Sequence, residues 1–150
     1  MRDGDTRPCA CVPVTLLPGA VVHEDFGIRI PRGYPLEAAG PVMCSGVTLY
    51  DPIRRYGRPG ARVGVIGLGG LGVIGIKIAR AMGYHVTAVT RTAGKAALAT
   101  NAGADTVVVS GAAAQLDAAA GTIDLLLNTI PFEHDFVRGR GGGRWGGVRG

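Results

Sequence analysis

The sequence predicts an α/β protein built on a partial doubly wound parallel sheet with helices on both faces. Three observations support this fold class. Apolar runs of strand length alternate with helical stretches, the first of these strands leads directly into a glycine motif, and the composition is globular, with 47% apolar and 18% charged residues. Continuous apolar strands that alternate with helices are expected of a buried parallel sheet.

The first third of the chain has the less regular pattern. Residues 1–20 form an irregular head that is rich in proline and turn-forming residues. The stretch "VVHEDFGIRIP" then predicts a short strand, a turn at Asp25 and an extended piece that Pro31 ends. In "PLEAAGPVMCSGVTLYDPIRRYG" we expect helical turns that Pro41 restarts and Pro52 breaks. One apolar face is predicted there, made of Leu49, Tyr50 and Ile53.

The middle of the chain predicts the order β-α-β-α-β-α-β. Val63 to Ile66 form the first strand, and the following helix ends at Gly83. The second strand is "HVTAVTR", and the helix after it ends at Asn101 to Gly103. The last three elements are the strand "DTVVVS", the alanine-rich helix from Gly111 to Ala120 and the strand "IDLLLNTI". The outer edge of that fourth strand is expected to lack a partner and to favour association.

The glycine motif lies at the first strand-to-helix turn, inside "GVIGLGGLGVIG". Gly67, Gly69 and Gly72 meet the pattern G-x-G-x-x-G. The first would permit the tight turn, the second would let a pyrophosphate reach the backbone, and the third would let the helix approach the sheet. The segment predicted to bind the pyrophosphate therefore also contains Leu68, Gly70 and Leu71. The alternative is a glycine-rich turn with no ligand.

The end of the second strand indicates which dinucleotide would bind. NAD-binding units usually place Asp or Glu there, but no acid occurs between residues 73 and 104. Arg91 and Lys95 could instead pair with the 2′-phosphate of NADP, with the hydroxyls of Thr90 and Thr92 as further donors. The alternative is solvated charge at the start of a helix.

Charge and cysteine content restrict the other classes of function. The net charge is +5, but Arg138, Arg140, Arg144 and Arg149 lie in the terminal stretch, and the rest of the chain is nearly neutral. The main body therefore gives no electrostatic argument for a nucleic-acid partner. No apolar run has the length of a membrane span, the N-terminus is a poor signal peptide, and three cysteines make no disulfide framework. We therefore expect a cytoplasmic protein.

The stretch from about Val21 to Phe136 resembles the zinc-dependent medium-chain alcohol dehydrogenases. It is most similar to the NADP-dependent branch of cinnamyl-alcohol-dehydrogenase-like enzymes. The matching pieces are "VVHEDFGIRIP", "PLEAAGPVMCSGVTLYDPI", "VGVIGLGGLG", "NAGADTVVVS" and "AAAGTIDLLLNT". The resemblance covers about three quarters of the chain. It implies hydride transfer between NADPH and an aldehyde or primary alcohol, and a homodimer in the intact family.

The resemblance also assigns roles to single residues. Cys44 stands where the family has a ligand of the catalytic zinc, at the start of a helix, although a buried structural thiol is the alternative. Thr48 matches a cofactor contact near the nicotinamide, and Thr129 matches a further one. Gly67 to Gly72 match the pyrophosphate loop, and Thr90 to Lys95 match the 2′-phosphate segment.

The chain departs from the family in its zinc ligands. A second ligand cysteine, a Gly-His-Glu motif and a four-cysteine structural site are all missing, and His23-Glu24 falls in a strand segment that binds no metal. His134 is expected at a loop surface. One ligand cannot hold a catalytic zinc, so no catalytic residue is assigned and an inactive fragment is expected.

The resemblance further divides the chain. Residues 21–60 correspond to a remnant of the catalytic domain, 61–137 to the first part of the dinucleotide-binding domain and 138–150 to a Gly/Arg-rich tail. The head and tail are expected to be joined to a longer parent or read out of register with it. Two other functions stay open: a non-catalytic nucleotide-binding module, and an RGG-type RNA-binding segment with Trp145 available for stacking.

Overall fold

Four short apolar segments pair side by side to form the centre of the molecule. The structure is a computed structural model that describes residues 23–131. Its strands are β1 (Arg62–Ile66), β2 (His85–Thr90), β3 (Thr106–Val109) and β4 (Leu125–Asn128). They form one sheet in the order β3-β2-β1-β4, and all three pairings are parallel. The predicted parallel sheet is confirmed, and within the described residues β4 is an edge strand.

Helices cover both faces of this sheet because successive strand residues point to opposite sides. The helices of the α/β unit are α2 (Gly70–Ala81), α3 (Ala96–Ala102) and α4 (Ala113–Ala119), and α1 (Leu36–Tyr56) precedes β1. On β2, Val86 and Ala88 join a core with residues of α1, α2 and α3. Val89 faces the other way and packs in a second cluster with Leu116 and Ala119 of α4. The fold is a partial doubly wound unit, as predicted.

Helix α1 corrects the prediction that proline would divide this region. It runs unbroken over 21 residues with Pro41 and Pro52 inside it. Each proline removes one N–H donor from the helix, yet Leu49 and Ile53 are buried, with Ile53 fully inaccessible. Burial of these side chains holds the helix against the sheet unit. Tyr50 is 45% exposed, so the predicted face contains only its two aliphatic members.

The described residues divide between two compact units, one that ends at Gly40 and one that begins at Pro41. In the first unit the predicted turn at Asp25 is a 3-10 turn, Glu24–Phe26. The extended piece expected up to Pro31 has no strand partner among the described residues. The strand expected at Val21 and Val22 lies outside them. No helix in the described part of the chain is long and apolar enough to span a bilayer.

Candidate functional site

The glycine loop connects β1 to α2 with a geometry that side chains would prevent. Gly67 has φ = +93°, a conformation that L-residues rarely adopt. A Cβ on Gly72 would overlap the carbonyl oxygen of Gly67, so the first turn of α2 lies directly against the loop. The turn and close-approach roles predicted for these two glycines agree with this geometry.

Gly69 differs from the other two because its surroundings are open. A Cβ there would meet no atom within 4 Å, and the backbone is extended, with φ = −98° and ψ = −170°. Gly69 is also the N-cap of α2 and supplies no side-chain cap. The first N–H groups of an α-helix have no partner inside the helix, and the helix dipole favours an anion beside them. The loop therefore leaves an uncapped, accessible site for an anion.

Thr129, immediately after β4, holds the loop from one side. Its hydroxyl oxygen lies 2.8 Å from the carbonyl oxygen of Ile66 and 3.1 Å from that of Gly67. Its backbone N–H also donates to the Ile66 carbonyl at 3.0 Å. Thr129 thus lies beside the glycine loop, where the single proton of its hydroxyl is within reach of two carbonyl oxygens.

The end of β2 lies on the other side of the loop. Thr90 is buried, and its hydroxyl donates to the Thr92 carbonyl at 3.3 Å, which closes a tight turn. Arg91 and Thr92 are exposed. The ammonium of Lys95 donates to the carbonyl of Leu68 at 3.1 Å. The residues predicted to bind the pyrophosphate and those predicted to bind the 2′-phosphate therefore both lie at the carboxyl ends of the strands.

The contact between Lys95 and Leu68 was not predicted. It joins residues 27 positions apart through the turn after β2, and the sequence pattern gives the charge of Lys95 without its partner. Only the parallel pairing of β1 with β2, which aligns Ile66 with Val89, could have suggested that the two turns are adjacent.

Cys44 and Thr48 lie one turn apart in the middle of α1. Cys44 is the ninth residue of a helix that begins at Leu36, and the Thr48 hydroxyl donates to its carbonyl at 2.8 Å. The prediction that Cys44 stands at a helix start is wrong, because the helix continues through Pro41. The argument that a helix N-terminus activates this thiol therefore does not apply. Cys44 is exposed, which also excludes the alternative of a buried structural thiol.

Comparison with known proteins supports the predicted fold class. Residues 70–138 match a family model described as zinc-binding dehydrogenase. A probable cinnamyl alcohol dehydrogenase from Zea mays is 44% identical over 117 residues, which are 76% of this chain and 32% of that protein. A solved cinnamyl alcohol dehydrogenase from Sorghum bicolor is 43% identical with a TM-score of 0.71, over 75% of this chain and 33% of the other.

Over about three quarters of its length, this chain is similar to zinc-dependent medium-chain alcohol dehydrogenases.

The chain spans about a third of the length of these family members. Two further solved members were determined with a dinucleotide. CAD from Helicobacter pylori, complexed with NADP(H), is 29% identical with a TM-score of 0.58, over 71% of this chain and 30% of that one. Acetophenone reductase from Geotrichum candidum, in complex with NAD, is 33% identical with a TM-score of 0.58, over 67% and 29%.

The zinc in the family name does not fit the donors that this chain presents. Between residues 23 and 131, no three His, Cys, Asp or Glu side chains are grouped so that they could hold a metal ion. A catalytic zinc normally takes three protein ligands, and Cys44 supplies one. His23 pairs with Asp25 at 3.3 Å on an exposed 3-10 turn, whereas the prediction placed it in a strand. His134 lies outside the described residues. No step through zinc follows from this donor set.

Proposed function

We propose that the chain binds NADP(H) at the N-terminus of α2, as the nucleotide-binding part of an alcohol dehydrogenase. The observation that carries this proposal is the uncapped start of α2 behind Gly69, where a Cβ would meet nothing within 4 Å. A pyrophosphate there accepts hydrogen bonds from the free N–H groups of the helix. Gly67 to Gly72 are the residues assigned to it, Leu68, Gly70 and Leu71 included.

The preference for NADP over NAD is assigned to Arg91. Its planar guanidinium directly follows β2 and is exposed. The sequence contains no acid between residues 73 and 104 that could repel a 2′-phosphate. Thr92, also exposed, is a further donor, whereas the buried hydroxyl of Thr90 shapes the turn that presents Arg91. The NADP(H) complex of the relative from Helicobacter pylori favours this choice, and the NAD complex of acetophenone reductase represents the alternative.

The remaining assignments rest on the family. Thr48 is proposed to contact the cofactor near the nicotinamide, and Thr129 to make a further cofactor contact. Bound NADPH would supply the hydride that reduces an aldehyde to a primary alcohol. The substrate class comes from the cinnamyl alcohol dehydrogenases that the chain resembles. A homodimer and a cytoplasmic location are further expectations.

The 150-residue polypeptide by itself is proposed to be catalytically inactive, because Cys44 is its one candidate zinc ligand among the described residues. The same observation favours the second candidate function, a nucleotide-binding module without catalysis. The RNA-binding hypothesis concerns the Gly/Arg tail, which lies outside the described residues.

The test compares the dissociation constants of NADPH and NADH for the unaltered chain and for Arg91→Asp. Hydrogen bonds to charged groups contribute roughly 1.5–3 kcal/mol, which corresponds to about ten- to a hundred-fold preference for NADPH. We expect Arg91→Asp to abolish this preference and to leave NADH binding nearly unchanged.

Arg58→Asp is the matched control, because Arg58 is exposed and precedes the amino end of β1, away from the loop. It should leave both dissociation constants unchanged. Equal affinities for the two dinucleotides in the unaltered chain would contradict the assignment of NADP. An undiminished preference in Arg91→Asp would contradict the role of Arg91.

A further inference from the structure

Four exposed arginines lie where α1 ends and β1 begins. They occupy the last turn of the helix, the connecting turn and the first position of the strand, and they are Arg54, Arg55, Arg58 and Arg62. The favourable interaction of a cation with a helix C-terminus accounts for the first two of them but not for the two outside the helix. We call these residues, together with Tyr56, the arginine surface. It lies at the amino ends of the strands, opposite the glycine loop.

The carboxylates near the arginine surface are bound to other groups. Asp124 accepts the backbone N–H of Arg62 at 2.8 Å, and Asp105 is bound to groups of β2 and α2. Asp51 lies 3.5 Å from Arg55 in an ion pair along the helix. Among the residues that the structure describes, no ion pair involves any of the other three arginines. Their guanidinium groups are therefore available to an anion from outside the chain.

The backbone beneath the arginine surface is held by hydrogen bonds and burial. Ile53 is fully buried, and its carbonyl accepts the Gly57 N–H at 2.8 Å at the end of the helix. In the turn that follows, the Ala61 N–H donates to the Arg58 carbonyl at 2.9 Å, and Gly60 takes φ = +80°. This turn sets the spacing of the arginines before a ligand arrives, so less conformational entropy is lost on binding.

Tyr56 places an aromatic ring among the arginines. It is the last residue of α1, and it is 50% exposed. An exposed ring can stack against a nucleobase, while the guanidinium forks beside it pair with phosphate oxygens. An acidic protein segment would pair with the arginines but has no base to stack on the ring. The combination therefore favours a nucleic acid over an acidic protein.

We propose that the arginine surface binds single-stranded nucleic acid, with its guanidinium groups on the phosphates and Tyr56 stacked on a base. Positive charge combined with an exposed ring is how proteins bind single strands without sequence preference. The nearly neutral sum over the main body does not show this local concentration of charge. The surface lies away from the proposed dinucleotide site, so the two binding functions are independent and are tested separately.

The first experiment measures binding of labelled oligouridylate and oligothymidylate, each of about 15 nucleotides, to the full chain by fluorescence anisotropy. Three unpaired arginines predict a slope of about −2 for the logarithm of the binding constant against that of the salt concentration. This is about a twenty-fold loss between roughly 50 and 200 mM salt. The two oligonucleotides should bind alike, because neither phosphate contacts nor base stacking need the 2′-hydroxyl. Binding of one alone, or of neither, would overturn the proposal.

The second experiment compares two triple variants of the full chain that each remove three positive charges. The surface variant is Arg54→Gln/Arg58→Gln/Arg62→Gln. The control replaces the first three arginines of residues 138–150 with glutamine. The substituted surface side chains are exposed, and the bond from Arg62 to Asp124 uses the backbone, so the fold is retained.

The surface variant should bind about ten-fold or more weakly at low salt, with a slope shallower by about 2. The control should bind as the unaltered chain does. Equal losses in the two variants would mean that binding follows net charge, and a larger loss in the control would place it in the tail. Either result would overturn the proposal.

The third experiment tests the ring with Tyr56→Ser, and Tyr56→Phe is the matched control. The serine variant should bind roughly five-fold or more weakly, the phenylalanine variant should bind normally, and neither should change the salt slope. Unchanged affinity in Tyr56→Ser would overturn the proposal, as would displacement by polyglutamate as effective as that by unlabelled oligouridylate. Excess NADPH should leave the oligonucleotide bound, and displacement by NADPH would place it at the glycine loop instead.

Discussion

At the scale of single residues, the shape of the glycine loop depends both on the missing side chains of its glycines and on the hydroxyl of Thr129. Gly72 lacks the Cβ that would overlap the Gly67 carbonyl, and Gly67 takes a positive φ. The Thr129 hydroxyl then fixes the carbonyl that ends β1. Each of these features determines the backbone conformation of the loop, so its effect on stability can be measured without a ligand.

Thr129→Val should lower both stability and dinucleotide affinity. Valine keeps the shape of the side chain but removes the donor to the Ile66 carbonyl, which costs roughly 0.5–1.5 kcal/mol of unfolding free energy. Chemical denaturation measures this loss. Thr122→Val is the control, because the Thr122 hydroxyl donates to the Ala119 carbonyl at the same 2.8 Å, outside the loop. The control should lose similar stability and retain NADPH affinity. Unchanged NADPH affinity in Thr129→Val would contradict a role for this residue in the site.

The sequence predicts the roles of the glycines because those roles follow from the lack of a side chain, which is visible without a structure. It predicts the charge of Lys95 but not its partner, since the Leu68 carbonyl is presented by a turn 27 residues away. The position of Cys44 within its helix was missed for a different reason. It depends on whether the helix continues through Pro41, and tertiary packing decides that.

At the scale of elements, two aspartates join neighbouring strands at the amino ends of the strands, opposite the loop. Asp105 accepts from the Val86 N–H and Asp124 from the Arg62 N–H, each at 2.8 Å. The backbone N–H of each aspartate donates back to the carbonyl of the same partner, at 2.9 Å. These reciprocal pairs set the register in which β3 and β4 begin. Asp105 also bonds to Arg80 of α2 at 2.8 Å.

This arrangement predicts acid sensitivity. The hydrogen bond from the Val86 N–H holds the pKa of Asp105 below its ordinary value, and the Arg80 guanidinium lowers it further. Burial raises this pKa, but by less than these groups lower it. A carboxyl with a lowered folded-state pKa stabilises the fold above its unfolded pKa, and this contribution is lost as pH falls through the folded value. We expect the unfolding free energy to fall below about pH 4, and to fall less steeply in Asp105→Asn.

The control for that measurement is Asp51→Asn, which removes an exposed carboxylate whose ion pair with Arg55 lies on the surface of α1. Surface pairs of this kind contribute little to stability. Its pH profile should therefore follow that of the unaltered chain. A profile of Asp105→Asn as steep as that of the unaltered chain would contradict the assignment.

The elements were predictable where local pattern and tertiary packing agree. Helix α2 and strand β2 both form where their periodicity predicts them. Helix α2 ends two residues before Gly83, and β2 ends one residue before Arg91. Helix α1 was predicted as interrupted because the low helix propensity of proline is judged from the local sequence. The burial of Ile53 depends on tertiary packing, which the local sequence does not show. The fourth strand was predicted over eight residues, whereas β4 covers four. The flanking Asp124 and Thr129 N–H groups still donate to the Arg62 and Ile66 carbonyls of β1.

At the scale of the whole molecule, the residues that the structure describes provide the proposed dinucleotide site, whereas no group among residues 23–131 could hold a metal ion. We therefore expect the purified 150-residue polypeptide to hold no stoichiometric zinc after dialysis, by elemental analysis. Cys44→Ser should give the same zinc content. One equivalent of tightly held zinc, lost in Cys44→Ser, would show that Cys44 finds further ligands in this polypeptide.

The central claim is that α2 presents its free N-terminus to the pyrophosphate of a dinucleotide, and Gly69→Asp tests it most directly. Aspartate is a favoured N-cap residue, the backbone here is extended, and a Cβ meets no atom within 4 Å, so the fold should be at least as stable as with glycine. Its carboxylate would occupy the anion site and repel the pyrophosphate.

The measurement is the NADPH dissociation constant of the unaltered chain and of Gly69→Asp, with thermal unfolding of both as the check on the fold. The account predicts an unchanged or slightly higher unfolding temperature together with at least a hundred-fold loss of NADPH affinity, on the order of 3 kcal/mol. Equal NADPH affinity in the two proteins would contradict it.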